Sequence, residues 1–183
     1  MNEASEVARR DRSAAIFVET ERLVLRRFSV DDDEFILRLV NEPSWLRFIG
    51  DRGVRTLEDA RGYILKGPVA SYERFGFGLY LVSLKAEGTP IGMCGLIKRD
   101  TLDDVDIGFA FLPEFWGRGY ARESAAAVMA LAKDTIGLHR LVAITTPENR
   151  SSIQLLEKIG MAFERMIVLP DDPVELMLFG CRM

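Results

Sequence analysis

The order of the predicted secondary-structure elements constrains the fold of this sequence most. Three apolar segments with strand character follow one another through short polar turns, at Phe77 to Leu84, Pro90 to Lys98 and Val105 to Leu112. A long helix, a short strand and a further helix come next, at Ala121 to Ile136, Leu141 to Thr145 and Asn149 to Ile159. Short turns predict an antiparallel meander, and the strand–helix–strand unit predicts a parallel pair. The predicted fold class is therefore α+β with a mixed, mostly antiparallel sheet flanked by helices.

The flanking segments complete a single domain. A strand is predicted at Glu21 to Phe28, and a final hairpin at Met161 to Leu169 and Val174 to Cys181. The 183 residues suit one domain, since single domains commonly contain about 100–200 residues. We predict a loose tail over residues 1–15, because these residues are polar and chain termini usually fray, and one folded domain over residues 16–183.

Two helices are predicted between the first strand and the meander. The acidic run from Asp31 to Glu34 precedes an apolar helical pattern, and such acids suit a helix start better than a metal cluster. Pro43 is predicted to end this helix. Thr56 and Asp59 resemble a capping box at the start of the next helix, which is expected to end or bend at residues 67–68.

The charge balance excludes a general attraction to nucleic acid or to anionic membranes. The chain carries 24 Lys and Arg against 28 Asp and Glu, with a pI near 5.2, so an anionic ligand has to be held by local groups. No apolar run approaches the roughly 18 residues of a membrane helix. Cys94 and Cys181 form neither a disulfide framework nor a zinc pattern. We expect a cytoplasmic protein without a metal site.

The segment from Phe115 to Arg122 carries the most informative chemistry in the sequence, because it joins a strand to the long helix. Free backbone N–H groups and the positive end of the helix dipole meet at such a junction, which favours phosphate. Gly117 and Gly119 let a ligand approach the backbone closely. Arg118 and Arg122 add charge that can pair with phosphate.

Two familiar glycine loops do not fit this segment. A Walker A loop needs Lys and then Ser or Thr after its last glycine, where this chain has Tyr120 and Ala121. A Rossmann loop needs a small residue at the position of Arg122 and an acid about 20 residues later, where the chain has His139 and Arg140. On the glycines alone, a tight turn that binds no ligand is an equally good interpretation.

Longer stretches around this loop resemble the GNAT acetyltransferases. The segment from Asp106 to Ala125 is similar to the acetyl-CoA motif of that family, Gln/Arg-x-x-Gly-x-Gly/Ala. Trp116 takes the first position of the motif, Gly119 the glycine position and Ala121 the last position. The tryptophan departs from the family pattern in a way that is typical of the branch containing the ribosomal-protein alanine N-acetyltransferases RimJ and RimL.

Two further segments resemble the same RimJ/RimL-like branch. They are Asn149 to Met161, in the second half of the chain, and Thr20 to Arg26, near its beginning. The resemblance extends from about Thr20 to Cys181, which is nearly the whole chain. It is specific for the GNAT family and much less specific for the acceptor.

The resemblance implies a GNAT fold, a sheet splayed at its centre, and acetyl-CoA as the cosubstrate. Pantetheine would lie between the third meander strand and the strand at Leu141 to Thr145, and pyrophosphate would lie on the glycine loop. Asn149 would hold the pantetheine arm from the opposite side while also capping its helix. For Tyr120, the alternative to cofactor binding is that its side chain only packs against the helix. The implied cofactor-binding residues are Phe111, Leu112, Gly117, Arg118, Gly119, Tyr120, Ala121, Arg122, Asn149 and Ser152.

Acetyl transfer needs a base for the amine and a proton donor for the leaving sulfur. The resemblance implies Asp106 as the base, and Glu73 is a weaker candidate. Many GNAT enzymes place a Tyr acid where this chain has Leu156, so Ser152 is the implied donor. A solvated edge carboxylate at Asp106 and a capping hydroxyl at Ser152 are the alternative interpretations. His139, the sole histidine, is predicted to be structural.

The predicted function is transfer of the acetyl group of acetyl-CoA to a primary amine by direct attack in a ternary complex. Residues 45–80 are expected to form the acceptor side, for a protein N-terminus or for a small molecule such as a polyamine, an amino acid or an antibiotic. Asp51 is a candidate partner for an ammonium group, although a turn explains it equally well. The alternative function is a non-catalytic acyl-CoA sensor. We expect no nucleic-acid or membrane partner, and a homodimer is the default assembly.

Overall fold

The structure is a computed structural model that describes residues 16–170 and 172–183, and the tail predicted over residues 1–15 lies outside the described residues. Within them, eight strands form one mixed sheet. The strands are β1 (Ile16–Glu19), β2 (Leu23–Arg27), β3 (Leu79–Leu84), β4 (Pro90–Ile97), β5 (Asp106–Phe111), β6 (Arg140–Thr145), β7 (Ala162–Leu169) and β8 (Asp172–Arg182). The helices are α1 (Asp33–Leu39), α2 (Pro43–Phe48), α3 (Leu57–Ile64), α4 (Ala70–Phe75), α5 (Tyr120–Asp134) and α6 (Arg150–Lys158).

The sheet has the strand order β1-β2-β3-β4-β5-β6-β8-β7. Only β5 and β6 run parallel, and the other neighbours in this described sheet are antiparallel. The meander β3-β4-β5 and the parallel pair are therefore confirmed. The short strand β1 is an addition to the predicted elements. The final hairpin is also confirmed, but its second strand, β8, lies inside the sheet between β6 and β7.

Local sequence sets most helix boundaries, with one correction at Pro43. Asp32 pairs with Arg26 at 2.6 Å and Asp33 pairs with Arg61 at 2.7 Å around the start of α1, so these acids support a helix start as predicted. The prediction that Pro43 ends this helix is wrong, because α1 has already ended and Pro43 begins α2. Proline is favoured at the first helical position, where its missing N–H costs no hydrogen bond.

The predicted bend at residues 67–68 is a short π-helical segment. This segment, Leu65–Val69, contains Pro68 and connects α3 directly to α4. Proline removes one backbone donor inside a helix, and a wider turn accommodates that loss. The chain therefore passes from α3 into α4 without an intervening loop.

The Thr56→Ala variant is expected to lower the free energy of unfolding by about 1 kcal/mol, because it removes a helix cap. Thr56 Oγ1 accepts a hydrogen bond from Asp59 N–H at 3.1 Å, and Asp59 Oδ2 accepts one from Thr56 N–H at 2.9 Å. Urea unfolding measures the change. Thr101→Ala is the matched control, since Thr101 lies exposed in a turn. Equal losses in the two variants would contradict a stabilising cap.

Apolar side chains form two buried clusters on the two faces of the sheet. Met93 of β4 belongs to the cluster that includes Ile36 of α1 and Ile64 of α3. The next residue, Cys94, belongs to the cluster that includes Val128 of α5. Successive residues of a strand face opposite sides, so β4 separates the two clusters. No helix in the described part of the chain is long and apolar enough to cross a membrane.

The sheet is splayed between β5 and β6, as predicted. Asp106 opposite Val142 is the single register position that joins these strands in the described structure. There Val142 N–H donates to the carbonyl of Val105 at 3.0 Å. By contrast, β5 is paired with β4, and β6 with β8, along their whole lengths. The strands therefore enclose a gap beyond Asp106, and one edge of β5 faces that gap.

Candidate active site

The loop between β5 and α5 exposes a run of free backbone amides. Among the described residues, no hydrogen bond uses the N–H groups of residues 117–122. The first intrahelical bond runs from Glu123 N–H to the carbonyl of Gly119 at 3.0 Å, and the N-cap position is Gly119, which has no side chain to cap the helix. These amides and the positive end of the α5 dipole form a concentrated site for an anion.

Two glycines give this loop its shape. Gly117 has φ of 74° and Gly119 has φ of 82°, which is left-handed backbone that favours glycine. A Cβ atom on Gly119 would lie 3.3 Å from Nη2 of Arg22. The backbone conformation and the close neighbour both explain a glycine at this position.

A clamp from the turn that precedes β2 holds the loop, and sequence reasoning missed it. Arg22 Nε donates to Glu123 at 2.7 Å and Thr20 Oγ1 donates to the same carboxylate at 2.6 Å. Arg22 also donates through Nη1 to the carbonyl of Arg118 at 3.0 Å and lies 4.7 Å from the ring centroid of Tyr120. Burial raises the pKa of Glu123, but hydrogen bonds from Thr20 and Arg22 outweigh burial and leave this pKa below its ordinary value.

Two adjoining cavities open beside the gap. The loop cavity, of about 450 Å³, lies beside the free amides. The larger cavity, of about 820 Å³, lies between the α2–α4 layer and the strands β5 and β6. Phe109, Ala110, Asn149 and Ser152 line both cavities. A ligand on the loop amides and a ligand in the larger cavity can therefore meet at the start of α6.

Most of the predicted cofactor-binding residues come together at the loop cavity. Those that line it are Phe111, Gly117, Gly119, Tyr120, Ala121, Arg122, Asn149 and Ser152. Leu112 is buried in the core, where its N–H donates to the carbonyl of Ile91 and its carbonyl accepts from Phe115 N–H, and it lines neither cavity. The exposed Arg118 side chain lies 5.8 Å from the Phe115 ring centroid and is not part of the lining.

Trp116, in the first position of the loop motif, limits what Phe111 can offer. Its indole Nε1 donates to the carbonyl of Phe111 at 2.8 Å. The next amide, that of Leu112, donates towards β4 at 3.0 Å. Neighbouring backbone groups in a strand point to opposite sides, so the N–H of Phe111 faces the gap. Phe111 therefore offers a donor to the gap, while its carbonyl is occupied.

Asp106 lies at the closed end of the gap and lines the larger cavity. It is 1% exposed, so the interpretation as a solvated edge carboxylate is wrong. Oδ2 accepts from Arg99 Nε at 2.6 Å; the buried Oδ1 makes no hydrogen bond of normal geometry among the described residues, although the backbone N–H of Ile144 is close enough to lower the pKa of the carboxyl group. Burial raises the pKa of Asp106 to about 6, against the opposing effect of the Arg99 guanidinium. The carboxyl group can therefore exchange a proton near neutral pH.

The start of α6 presents two side chains to both cavities. Asn149 Oδ1 accepts hydrogen bonds from Ser152 N–H and from the Ser151 hydroxyl, each at 3.1 Å, which confirms the predicted cap. Asn149 Nδ2 and Ser152 Oγ make no hydrogen bond within the described residues. The serine hydroxyl therefore does not act as a cap. Leu156, which stands where the resemblance would place a tyrosine acid, is buried and lines the larger cavity.

Other candidates lie away from the two cavities. Glu73 is exposed on α4, and His139 is exposed before β6. Asp51 pairs with Arg55 and accepts from Gly53 N–H at 2.8 Å, so it forms a turn as the alternative interpretation has it. Among the described residues, no group of three or more His, Cys, Asp or Glu side chains is arranged to hold a metal ion.

Comparisons with known proteins identify the family. The acetyltransferase (GNAT) domain model matches residues 22–162. The chain is 31% identical to the uncharacterized N-acetyltransferase YnaD of Bacillus subtilis over 147 residues, which are 80% of this chain and 83% of that protein. An acetyltransferase structure from Agrobacterium tumefaciens has a TM-score of 0.77 at 26% identity, with 91% of this chain and 94% of that chain covered. The chain belongs to the GNAT family, and it is an acetyl-CoA-dependent acyltransferase.

RimL, the ribosomal L7/L12 alpha-N-protein acetyltransferase, has been solved in complex with coenzyme A and has the same fold. Its TM-score is 0.78 at 18% identity, with 92% of this chain and 98% of that chain covered. At this identity the likeness extends to the fold alone. It shows that a protein with this architecture binds coenzyme A.

Proposed function

We propose that the protein transfers the acetyl group of acetyl-CoA to a primary amine by direct attack in a ternary complex. The observation that carries this proposal is the junction of the two cavities at Asn149 and Ser152. Direct transfer requires the donor and the acceptor to be held together, and two cavities with common walls provide that arrangement. The larger cavity, at about 820 Å³, has the size of a small-molecule site.

In this proposal the free amides of residues 117–122 bind the pyrophosphate of acetyl-CoA, with Arg122 beside them. The N–H of Phe111 and the side-chain amide of Asn149 donate to the pantetheine arm from opposite sides of the gap. Trp116 and the Arg22 clamp hold the loop in place through their bonds to the carbonyls of Phe111 and Arg118. The cosubstrate supplies an activated acetyl group as a thioester.

The amine nitrogen forms a bond to the acetyl carbon, and the bond between that carbon and sulfur breaks. The amine loses one proton and the departing thiolate gains one. We propose that Asp106 accepts the proton, through water, because its pKa of about 6 suits a base near neutral pH. Ser152 is the proposed donor to sulfur, since this residue lines both cavities and its hydroxyl makes no hydrogen bond among the described residues.

The proposal is tested by thiol release from acetyl-CoA over a panel of amines, with mass spectrometry of the products. We expect thiol release that depends on an amine, together with a product heavier by one acetyl group. Calorimetry with CoA is run alongside. CoA binding without thiol release on any amine would contradict the proposal and leave the non-catalytic sensor as the function.

Ser152→Ala is expected to lower kcat about tenfold while the Kd for CoA stays within twofold. The loss is smaller than the usual range for general acids because a thiol, with a pKa near 8.5, is already a moderate leaving group. Steady-state thiol release and calorimetry give the two values. Ser151→Ala is the control, since Ser151 also lies in the first turn of α6 but lines only the loop cavity. Unchanged turnover in Ser152→Ala would remove Ser152 from the donor role.

We also propose that the protein belongs to the RimJ/RimL-like branch, acts in the cytoplasm and forms a homodimer. The Trp116 contact and the Arg22 clamp give structural reasons for two sequence features of that branch. Cys94 and Cys181 are free thiols, as is usual in a reducing compartment. Cell fractionation and light scattering test the compartment and the assembly.

A further inference from the structure

The larger cavity is lined by positive charge, although the chain as a whole carries −4. Its basic residues are Arg47, Arg52, Lys66, Arg74, Lys98 and Arg99. Asp106 is the one acidic residue among the described residues that line this cavity, and Arg99 neutralises it. We infer, on the basis of the proposed acetyl transfer, that the acceptor is a primary amine that also carries a carboxylate or phosphate group.

Five of these six cations have no acidic partner among the described residues. Arg47, Arg52, Lys66 and Arg74 form no ion pair there. Lys98 forms none either, and its Nζ donates to the backbone carbonyls of Leu102 and Asp103. Elsewhere in the described structure some arginines pair with acids, as Arg140 does with Asp104 and Glu164, and others, such as Arg150 and Arg182, form no ion pair. The larger cavity combines six basic residues with one acidic residue, so its lining carries a net positive charge.

Aromatic rings orient two of the free cations without neutralising them. The guanidinium of Arg47 lies 4.9 Å from the ring centroid of Phe48, and that of Arg74 lies 4.8 Å from the ring centroid of Phe75. A cation over an aromatic face keeps its full charge. Both side chains are therefore positioned and remain available for an anionic group.

The wall near Asp106 combines positive charge with a free hydrogen-bond donor. Tyr63 lines the cavity, and its hydroxyl makes no hydrogen bond among the described residues. Burial raises the pKa of Tyr63, and the charges of Arg52 and Arg99 oppose that rise, which is consistent with two cations close to the phenol. A carboxylate or phosphate can accept bonds from guanidinium and phenol groups together.

The positive charge of the larger cavity disfavours cationic acceptors and favours anionic ones. A polyamine or a polycationic antibiotic would bring several positive charges among unpaired cations, which repels it. An anionic amine is attracted, and the surrounding cations lower the pKa of its ammonium group, which favours the neutral nucleophile. The favoured acceptors are therefore acidic amino acids, phosphorylated amines or the N-termini of acidic peptides.

The test uses acceptors that differ in charge but share an amine. Phosphoethanolamine is compared with ethanolamine, glutamate with its dimethyl ester, and an acidic peptide with a basic peptide of equal length; spermidine represents polyamines. We expect kcat/KM for the anionic member of at least one pair to exceed that of its partner about tenfold, since a charge-assisted hydrogen bond is worth roughly that factor. The pair that shows the effect distinguishes a small molecule from a peptide. Added salt should raise KM for the anionic acceptor.

Two variants connect the preference to this cavity. Arg52→Gln and Lys66→Gln are each expected to raise KM for the anionic acceptor about tenfold and to leave KM for acetyl-CoA unchanged. The ratio between charged and uncharged acceptors should also shrink, which a loss of folding alone would not produce. Arg182→Gln is the matched control, because Arg182 is exposed and lies outside both cavities.

The outcomes separate this inference from the proposed function. Thiol release with uncharged amines or spermidine that equals or exceeds release with the anionic acceptors overturns the inference and leaves acetyl transfer intact. An anionic preference that survives in both variants also overturns the assignment to this cavity. CoA binding without thiol release on any amine overturns the proposed function, and with it the inference.

Discussion

Asp106→Asn is expected to lower kcat/KM for the acceptor about 1000-fold, within the range found for a positioned general base. The side chain is buried, lines the larger cavity and has a pKa raised to about 6 by burial. Asparagine has nearly the same shape but cannot accept the proton. Thiol release at saturating acetyl-CoA measures the loss, and CoA calorimetry shows whether the fold is retained.

The pH profile gives the same prediction a second, independent readout. Below about pH 6 the ionised fraction of Asp106 falls tenfold for each pH unit, and the neutral fraction of the acceptor amine falls equally. The logarithm of kcat/KM should therefore rise with a slope of 2 below this pH and with a slope of 1 above it. In Asp106→Asn the slope should remain 1 throughout.

A matched change at Arg99 shows whether the change of slope near pH 6 in the pH profile arises from Asp106. Arg99 lowers the pKa of the Asp106 carboxyl group, so Arg99→Gln should move this change of slope to higher pH. Asp104→Asn is the control, since Asp104 pairs with Arg140 and lies outside the cavity. If the slope still changes near pH 6 in Asp106→Asn, the titration belongs to another group, and Asp106 is not the general base.

Gly119→Asp is expected to weaken CoA binding at least about 100-fold. The new carboxylate would lie at the free amides that are proposed to bind pyrophosphate, and like charges about 4 Å apart at a protein surface repel by roughly 4 kcal/mol. The side chain would also cap α5 and occupy its N–H groups. Calorimetry with CoA measures the affinity.

The chain provides a closely matched control for this variant. Gly137 has φ of 78°, against 82° for Gly119, and follows the other end of α5. Gly137→Asp introduces the same side chain into the same backbone conformation, but away from the loop. We expect thermal stability to fall in both variants and CoA affinity to fall only in Gly119→Asp. Equal affinity in the two variants would contradict the pyrophosphate assignment.

Local sequence patterns predicted the elements of this fold better than their arrangement. Turn chemistry and periodicity identified the meander and the capping box at Thr56, because neighbours in the chain determine both. The place of β8 between β6 and β7 depends on contacts with strands far along the chain. Pro43 allowed two interpretations, since the same fixed φ both ends one helix and suits the start of another.

The features of the candidate site also differ in whether local sequence could predict them. The free amides near Gly119 follow from a glycine-bearing loop that enters a helix, so the sequence could predict them. The Arg22–Glu123 clamp joins residues about a hundred positions apart, and only the fold brings them together. The occupied backbone of Leu112 and the raised pKa of Asp106 also depend on packing. The net charge of −4 did not indicate the basic lining of the larger cavity, because the acidic residues that outnumber the basic ones in the whole chain lie elsewhere.

The position of β8 has a consequence for synthesis on the ribosome. One side of β6 bonds to β8, which is the last described strand to be translated, and the other side is the wall of the gap. A nascent chain that has emerged only as far as β7 therefore exposes β6 as an unprotected edge, which invites pairing with other chains. The donor-binding cleft therefore acquires its complete sheet only once β8 has been translated, so ligand-induced stabilisation should appear in nascent chains that include β8 and not in shorter ones.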